Sequence, residues 1–202
     1  MLSNHPNSLP RQLGTSLVEV MVTLAILAFA LLGIAGLQSK IGTAEMESYQ
    51  RAQALVALSQ MTERLSANTA NAPAYVTAGA VGTGDAEPAD CVGAGLTGAA
   101  LDLCEWSNAL KGSAETKGGA SVGAMMSGRG CIIQVQAPVS LPPGNCTAGI
   151  YRVSVVWQGM APTAVPPGAA PVLACGTGLY GASDAWRRLI SATVTVPTTS
   201  CY

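Results

Sequence analysis

The feature that most constrains this sequence is an almost purely apolar segment at residues 17–37, LVEVMVTLAILAFALLGIAGL. At about 1.5 Å per residue, its 21 residues form a helix of about 31 Å, which is long enough to cross the hydrocarbon core of a bilayer. Three interpretations are open for such a segment: a secretory signal peptide, an ordinary membrane anchor, or a membrane helix that also takes part in assembly.

Glu19 distinguishes among these interpretations. A carboxylate near the centre of an apolar membrane helix costs about 2.5 to 3.5 kcal/mol, and somewhat less near an end, so a signal peptide or plain anchor has no use for it. A signal-peptide core also usually has about 7 to 15 residues, whereas this segment is longer and continues into a polar helical stretch. No cysteine lies near the segment, which excludes a lipoprotein.

The residues around Glu19 resemble the type IV prepilin signature. Residues 1–14, MLSNHPNSLPRQLG, form a short polar leader, and Glu19 follows Gly14 by five residues within the string GTSLVEVMVTLAIL. The resemblance implies that a prepilin peptidase cleaves between Gly14 and Thr15 and that the new N-terminus of Thr15 is methylated. The sequence departs from the family at the first mature residue, which is usually Phe and here is Thr15.

The resemblance also assigns a role to Glu19. In the packed core of a filament the new amine of Thr15 is costly unless it is paired, and Glu19 of a neighbouring subunit is the pairing group that the family implies. This pairing would also fix the axial register of the subunits. The alternative is a carboxylate that extends to the membrane surface without a role in assembly.

The helical pattern continues beyond the apolar segment. Residues 15–37 are expected to form a transmembrane or filament-core helix, and residues 38–70 an amphipathic continuation, since no proline occurs between Pro10 and Pro73. One helix over about residues 16–68 is therefore predicted. A coiled coil is the alternative, but the heptads do not persist and Gly42 interrupts them.

Two patterns describe the second half of this helix. Glu47 and Arg51 are spaced four residues apart in the order that favours an ion pair on a helix. Spacings of three and four residues also predict one apolar stripe for packing against a globular head, formed by Leu55, Leu58, Met61 and Leu65.

Residues 71–202 are expected to form that globular head. Residues 71–100 are rich in Ala, Gly, Pro and Thr and are predicted to be a loop, and residues 101–110 a short amphipathic helix. Three alternating apolar runs with β-branched residues predict an antiparallel sheet; they are residues 131–139, 150–159 and 188–196. The predicted fold class is therefore α+β, a long N-terminal helix packed on a small antiparallel sheet, as in pilins.

All six cysteines lie in the head, and they are Cys91, Cys104, Cys131, Cys146, Cys175 and Cys201. None forms a CxxC pair, so disulfides in an oxidising compartment are favoured over a metal site or free thiols. Six cysteines allow 15 pairings, and the sequence does not choose among them. One such set, taken as the prediction, is Cys91–Cys104, Cys131–Cys146 and Cys175–Cys201.

Further strings resemble the PilV group of minor pilins, also called type IV pilus modification proteins. They are ALLGIAGLQ, YQRAQALVALSQMTERLSAN, DLCEW, YRVSVVWQG and the ending CGTGLYG with RRLI. The resemblance implies that the partners are other minor pilins and the major pilin. It also implies a single-pass protein of the inner membrane with a periplasmic head, which later lies in the extracellular pilus.

The residue inventory argues against several other function classes. Ten basic residues balance eleven acidic ones without a basic run, so nucleic-acid binding is not indicated. Loss of the leader would remove His5, the only histidine, and with it His-based acid–base chemistry. Asp85, Glu87 and Asp90 lack the spacing of a calcium loop and are expected to form a solvated acidic loop. We therefore expect no enzyme activity, cofactor, metal or small-molecule substrate.

The function predicted from the sequence is structural: a minor pilin that takes part in assembly, initiation or the tip of a type IV pilus. Two alternatives use the same leader and helix. One is a minor pseudopilin of a type II secretion system, and the other is a tip adhesin or recognition subunit with exposed binding loops.

Overall fold

The computed structural model describes residues 14–113, 116–118, 120–121, 125–141, 145–165 and 174–198. Residues 1–13 of the leader lie outside the described residues, and so does Cys201. The chain divides into two compact units, residues 1–44 and 45–202. The elements are α1 (Leu17–Ala67), a 3-10 helix (Thr69–Tyr75), β1 (Val81–Gly82), α2 (Gly98–Leu110), β2 (Thr116–Lys117), β3 (Ala120–Ser121), β4 (Arg129–Gln136), β5 (Val139–Leu141), β6 (Asn145–Thr147), β7 (Gly149–Gln158), a second 3-10 helix (Asp184–Trp186) and β8 (Arg187–Val196).

The predicted α+β class is confirmed. Four antiparallel strands form the main sheet in the order β1-β4-β7-β8, and β2 with β3 and β5 with β6 form two small ribbons. In the sheet, Val153 of β7 lies opposite Ile132 of β4 on one side and Ala192 of β8 on the other. The three predicted strands correspond to β4, β7 and β8, displaced by up to three residues at their ends.

The alternation of side chains along β7 gives the sheet two different faces. Tyr151, Val153, Val155 and Trp157 belong to the main core, which also contains the buried residues of α1 and α2. Val156 lies on the other face in a smaller cluster with Cys175 and Tyr180, which Cys131 and Leu189 also contact. Both faces of the central strand are thus covered, which agrees with its nearly continuous apolar sequence.

The part of α1 in the second unit buries a stripe that lacks the predicted Leu55 and includes two alanines instead. The apolar core residues are Ala54, Ala57, Leu58, Met61 and Leu65, and Leu55 is 51% exposed. At about 100° per residue, Ala54 falls within about 40° of Leu58, Met61 and Leu65, whereas Leu55 points away from the centre of these three by about 90°. The prediction for Leu55 was wrong because spacings of three and four fit both residues.

Helix α2 lies over the edge of the same core. It begins at Gly98, three residues before the predicted start, and buries Trp106 and Leu110. The Trp106 indole N–H donates a hydrogen bond of 2.9 Å to the Ala57 carbonyl of α1. A Cβ on Gly130 of β4 would overlap the same indole ring, so this strand position requires glycine. Trp106 therefore joins both helices to the sheet.

The predicted loop over residues 71–100 contains more structure than expected. The 3-10 helix that begins at Thr69 reaches Tyr75, and β1 pairs with the start of β4. Thr77 also exchanges hydrogen bonds with the backbone of Ile132, at 3.0 and 3.1 Å. The segment itself contains few apolar residues, so the sequence did not predict these elements. They are held in place by β4 and α2, which are distant in sequence.

Candidate functional site

The predicted processing residues lie directly before α1. Gly14, Thr15 and Ser16 precede the helix in non-helical conformation and are exposed. The Ser16 hydroxyl accepts a hydrogen bond of 3.2 Å from the backbone N–H of Glu19, and Ser16 thus caps the helix. The Ser-x-x-Glu spacing of a capping box, present in the sequence, is the local signal for this helix start.

Glu19 is exposed in the first turn of α1. A carboxylate at this position is favoured by the helix dipole. Among the residues that the structure describes, no cation forms an ion pair with it.

The helix that follows Glu19 is apolar on all sides. A window of 18 residues in α1 has the length and composition of a membrane span, and none of that window is buried inside the protein. A core helix of a soluble protein is mostly buried, which this window is not, whereas a signal sequence meets the same length and composition criteria. The uncovered side chains include Leu24, Ile26, Phe29, Leu31 and Leu32.

Within the second unit, Glu47 of α1 is bound by the sheet rather than by its helical neighbour. Its Oε1 accepts hydrogen bonds from Arg188 Nη2 at 2.9 Å and from the Met160 backbone N–H at 3.0 Å. Arg188 also donates to the Ala161 carbonyl at 2.6 Å. The favourable spacing of Glu47 and Arg51 suggested a different ion pair, but the two-point contact with Arg188 and Met160 gives Glu47 a better-defined partner.

A second group of polar contacts joins the end of α1 to α2. Arg64 forms ion pairs with Asp102 at 2.8 Å and Glu105 at 2.7 Å. The Tyr75 hydroxyl donates to Asp102 at 2.5 Å and accepts from Asn68 at 3.1 Å. Burial lowers the pKa of Arg64, but its two carboxylate partners outweigh burial and raise it. Burial, followed by the hydrogen bond to Asp102, raises the pKa of Tyr75.

The acidic residues 85, 87 and 90 do not converge on one site. Asp85 accepts hydrogen bonds from the Gly82 N–H and the Ser107 hydroxyl, both at 2.6 Å, and forms an ion pair with Lys111. Burial raises the pKa of Asp85, but these donors outweigh burial and lower it. The expectation of a solvated loop was therefore wrong for Asp85, which is 13% exposed because it ties β1 to α2.

Asp90 instead accepts a local hydrogen bond from the Gly93 N–H at 2.8 Å. No group of three or more His, Cys, Asp or Glu side chains that could hold a metal ion occurs within the described ranges.

The disulfides agree in part with the predicted set. Cys91 bonds Cys104 as predicted, with the Cα atoms 5.9 Å apart. Cys131 bonds Cys175, with a Cα separation of 5.8 Å, so the predicted pairs Cys131–Cys146 and Cys175–Cys201 are wrong. Cys146 is also disulfide-bonded.

The face of the sheet on which Cys131 lies explains the different pairing. Cys131 points to the smaller cluster with Val156 and Tyr180, where the loop containing Cys175 packs, whereas Cys146 is in the separate ribbon of β5 and β6. Arg187 holds the same loop through a 3.0 Å hydrogen bond to the Cys175 carbonyl. Which of these cysteines bonds Cys131 depends on contacts on the face of the sheet. The spacing of the cysteines along the sequence gives no information about these contacts.

No protein-family model, curated protein or solved structure matches the chain. The inference of its function therefore rests on the residues of the chain itself. They are the exposed apolar helix with Glu19 in its first turn, and the disulfide-bonded head in which the same α1 continues.

Proposed function

We propose that this protein is a type IV pilin-like subunit that acts as a minor pilin. Its leader, residues 1–14, is removed by a prepilin peptidase, and the head stays on the periplasmic side of the inner membrane until assembly. The mature subunit then joins other minor pilins and the major pilin, and takes part in the assembly, initiation or tip of a pilus.

The observation that carries this proposal is the continuity of α1. The helix runs without interruption from Leu17 to Ala67. Its apolar first part is exposed on all sides, while its second part contributes Leu58, Met61 and Leu65 to the core of the head. A plain anchor needs no such continuity, whereas a pilin-like subunit uses one helix both for the filament core and for the core of its head.

The position of Glu19 supports a role in assembly. Its carboxylate is exposed in the first turn, five residues after Gly14, and the structure shows a capped helix start at Ser16 between them. Cleavage after Gly14 would create a positive amine at Thr15 close to the level of this carboxylate. In an apolar environment each charge alone costs several kcal/mol, so pairing between subunits would stabilise one register over others.

The cleavage site itself has suitable geometry. Gly14 and Thr15 are exposed and lie outside the helix, as a peptidase that binds non-helical backbone requires. The disulfides Cys91–Cys104 and Cys131–Cys175 suit an oxidising compartment, which agrees with a periplasmic head.

The test is the intact mass of the protein extracted from native membranes without reduction. We expect loss of residues 1–14, with or without one methyl group on Thr15. Replacement Gly14→Leu should leave the full-length chain uncleaved, because a side chain at this position obstructs close approach of the peptidase. A full-length wild-type chain, or a chain cut beyond Ala30, would instead identify a plain anchor or a signal peptide.

The role of Glu19 is tested separately in the same strain. Glu19→Gln should be cleaved normally but should be lost from sheared pilus fractions, since the amide cannot neutralise the amine. Glu45→Gln is the matched control, because Glu45 is also an exposed carboxylate on α1. Equal recovery of both variants in the pili would exclude the pairing role.

A further inference from the structure

Strand β8 forms one edge of the main sheet. It pairs with β7 from Arg187 to Val196 without a register shift, and in the described part of the chain no strand pairs with its other side. The opposite edge of the sheet is partly covered, since β1 pairs with the start of β4 and Thr77 exchanges hydrogen bonds with Ile132. The two edges therefore differ in how much backbone they leave open.

The direction of the backbone groups along β8 follows from the contacts at its start. The Gly159 N–H donates to the Trp186 carbonyl at 2.8 Å, so this pair is of the hydrogen-bonded kind, and so is every second pair after it. The even-numbered residues of β8 thus bond to β7, whereas the odd-numbered ones direct their N–H and C=O groups away from it. The Arg187 N–H agrees, because it donates to Asp184 rather than to β7.

Four residues of β8 therefore present backbone groups on a free edge. Their outward N–H and C=O groups form no hydrogen bond with any residue that the structure describes. The edge is about 20 Å long and lacks the lysine, proline or bulge that commonly protects such a strand. The four residues that form this free edge are Leu189, Ser191, Thr193 and Thr195.

A groove adjoins the start of the free edge. It has a volume of about 380 Å³, and its walls include Leu189 and Ile190 of β8 and Ser48 and Arg51 of α1. Because Leu189 and Ile190 contact the clusters on opposite faces of the sheet, a groove that touches both reaches the edge between the two faces. A strand added to β8 would therefore pass Arg51.

The groove has an excess of positive charge. Arg51 and Arg188 both line it, and Glu47 pairs with Arg188 at 2.9 Å. Within the described ranges, Arg51 has no ion-pair partner. A carboxylate on the added strand would complement the charge of Arg51.

We propose that the free edge of β8 binds an extended segment of another protein as a fifth strand of the main sheet, and that an aspartate or glutamate of this segment pairs with Arg51. Four N–H and four C=O groups of β8 supply the main-chain hydrogen bonds, which hold any extended backbone. The pairing with Arg51 selects among such segments.

The direction of α1 favours another protein over a second copy, and in this respect alone the inference rests on the proposed function. Two copies that join the same edge in antiparallel orientation are related by a twofold axis perpendicular to the sheet. This rotation reverses α1, which packs on the face of the sheet through Leu58 and Met61. Copies anchored in one membrane share the direction of α1, so the added segment comes from a different chain.

The experiment places a photo-crosslinking amino acid at Thr195 in the full-length chain, in its native membrane, and mass spectrometry identifies the captured segment. Thr193→Pro should reduce the adduct about tenfold, because proline removes an outward N–H and obstructs the edge while the hydrogen bonds to β7 remain. Thr193→Val is the matched control. It retains the N–H and should leave the adduct unchanged.

The charge of Arg51 is tested in the same way. Arg51→Glu should reduce the adduct about threefold to fivefold, because exposed ion pairs have energies of this order. Arg51→Lys is the control, since it keeps the positive charge and should retain most of the adduct. A captured segment without an acidic residue, or equal amounts of adduct in both variants, would overturn the pairing with Arg51.

Hydrogen exchange distinguishes strand addition from other contacts. A synthetic peptide of the captured segment is added to the full-length protein in detergent. The amides of Ser191, Thr193 and Thr195 should then exchange about tenfold more slowly, whereas those of Ala192 and Val194, which already bond to β7, should change little. Equal slowing at all five amides, or slowing at none, would overturn the added strand.

The non-reduced mass of each variant shows whether the head has folded, through the disulfide of Cys131 with Cys175. If Thr193→Pro lacks this disulfide, Ser191→Pro takes its place, because Ser191 also directs its N–H outward; the exchange pattern requires no variant. No adduct, an adduct with a second copy, or an adduct that survives the proline in a folded head would overturn the inference.

The intact mass of the same samples reports leader cleavage independently. A cleaved chain without an adduct contradicts this inference alone. An adduct on an uncleaved chain contradicts the proposed function alone.

Discussion

The two parts of α1 differ in where their apolar side chains find burial. In residues 17–44 every described side chain is exposed, although most are apolar. In residues 45–67 one apolar stripe enters the core of the head, while Met46, Leu55 and Val56 stay exposed. Both parts are α-helical throughout, so helical structure alone says little about function. What distinguishes them is that the first part requires an apolar environment from outside the chain.

The energies involved make this requirement strong. Burial of a Leu, Ile, Val, Phe or Met side chain is worth about 1.5 to 3 kcal/mol. The first part carries more than ten such side chains that remain more than 50% exposed, and water is therefore an unfavourable solvent for it. Lipid and neighbouring helices both provide an apolar environment. In the proposed function, lipid covers this surface first and neighbouring helices cover it after assembly.

The largest expected effect comes from removing buried volume in the second part of the helix. Met61→Ala should lower the free energy of unfolding of the head by about 3 kcal/mol, since Met61 is fully buried and its loss leaves a cavity. Met46→Ala is the matched control; this residue is 48% exposed and should change stability by less than about 0.5 kcal/mol. Chemical denaturation of the full-length protein in detergent, followed by tryptophan fluorescence, measures both.

Leu55→Ala sharpens the same comparison. The pattern-based stripe places Leu55 in the core, whereas the structure places it on the surface, so its loss should resemble that of Met46. A destabilisation as large as that of Met61→Ala would show that the head turns a different face of α1 to its core.

The error at Leu55 indicates what the sequence contains and what it does not. The extent of α1, the α2 segment and the three long strands follow from local periodicity, which depends on residues close in sequence. Which of two adjacent leucine or alanine positions enters the core depends on the surface that the helix meets. That surface is built from strands more than 60 residues later in the chain.

The predictions of the ion pair and of the disulfides failed for the same reason. Glu47 has a suitable helical neighbour in Arg51, yet its partner is Arg188, which is 141 residues away. Cys131 bonds Cys175 because the two meet on one face of the sheet, and spacing alone does not choose between Cys146 and Cys175. The roles proposed for Gly14, Thr15 and Glu19 stay predictions, and they could be made from the sequence because their signature is local.

A medium effect is expected from Asp85, whose contacts stabilise the head alone. The lowered pKa of Asp85 means that its contribution to stability is fully present above the unfolded pKa of about 3.9 and is lost as the pH falls through the folded value. Asp85→Asn should therefore cost about 2 kcal/mol at pH 7 and should flatten the loss of stability below about pH 4. Unfolding free energies of the two proteins between pH 7 and pH 3 measure this.

Glu87→Gln is the control for Asp85, because its carboxylate lies in the same loop and its side chain has no hydrogen bond among the described residues. We expect it to follow the wild-type pH dependence. If Asp85→Asn and the wild type lost stability in parallel below pH 4, the ion pair with Lys111 and the hydrogen bond from Ser107 would not be what lowers the pKa.

The smallest effect is expected at Glu47, close to where the exposed part of α1 meets the part that packs in the head. The ion pair with Arg188 is partly exposed, at 16% and 36% of the two side chains, so Glu47→Gln should cost only about 0.2 to 1 kcal/mol in the free energy of unfolding. Glu45→Gln, with an exposed carboxylate two residues earlier, should cost nothing measurable.

The local effect of Glu47→Gln should exceed the global one, because the Met160 N–H exchanges a charged acceptor for the weaker, neutral amide oxygen. Hydrogen exchange of the Met160 amide should accelerate in Glu47→Gln, although overall stability hardly changes. Unchanged exchange at Met160 would mean that the loop after β7 is held without Glu47. Arg188 contacts its Ala161 carbonyl and Thr163 hydroxyl, and the Gly159 and Thr163 N–H groups donate to the backbone at Trp186 and Ala185. The helix would then begin its packing in the head at Gln50, the first buried residue of α1, rather than at Glu47.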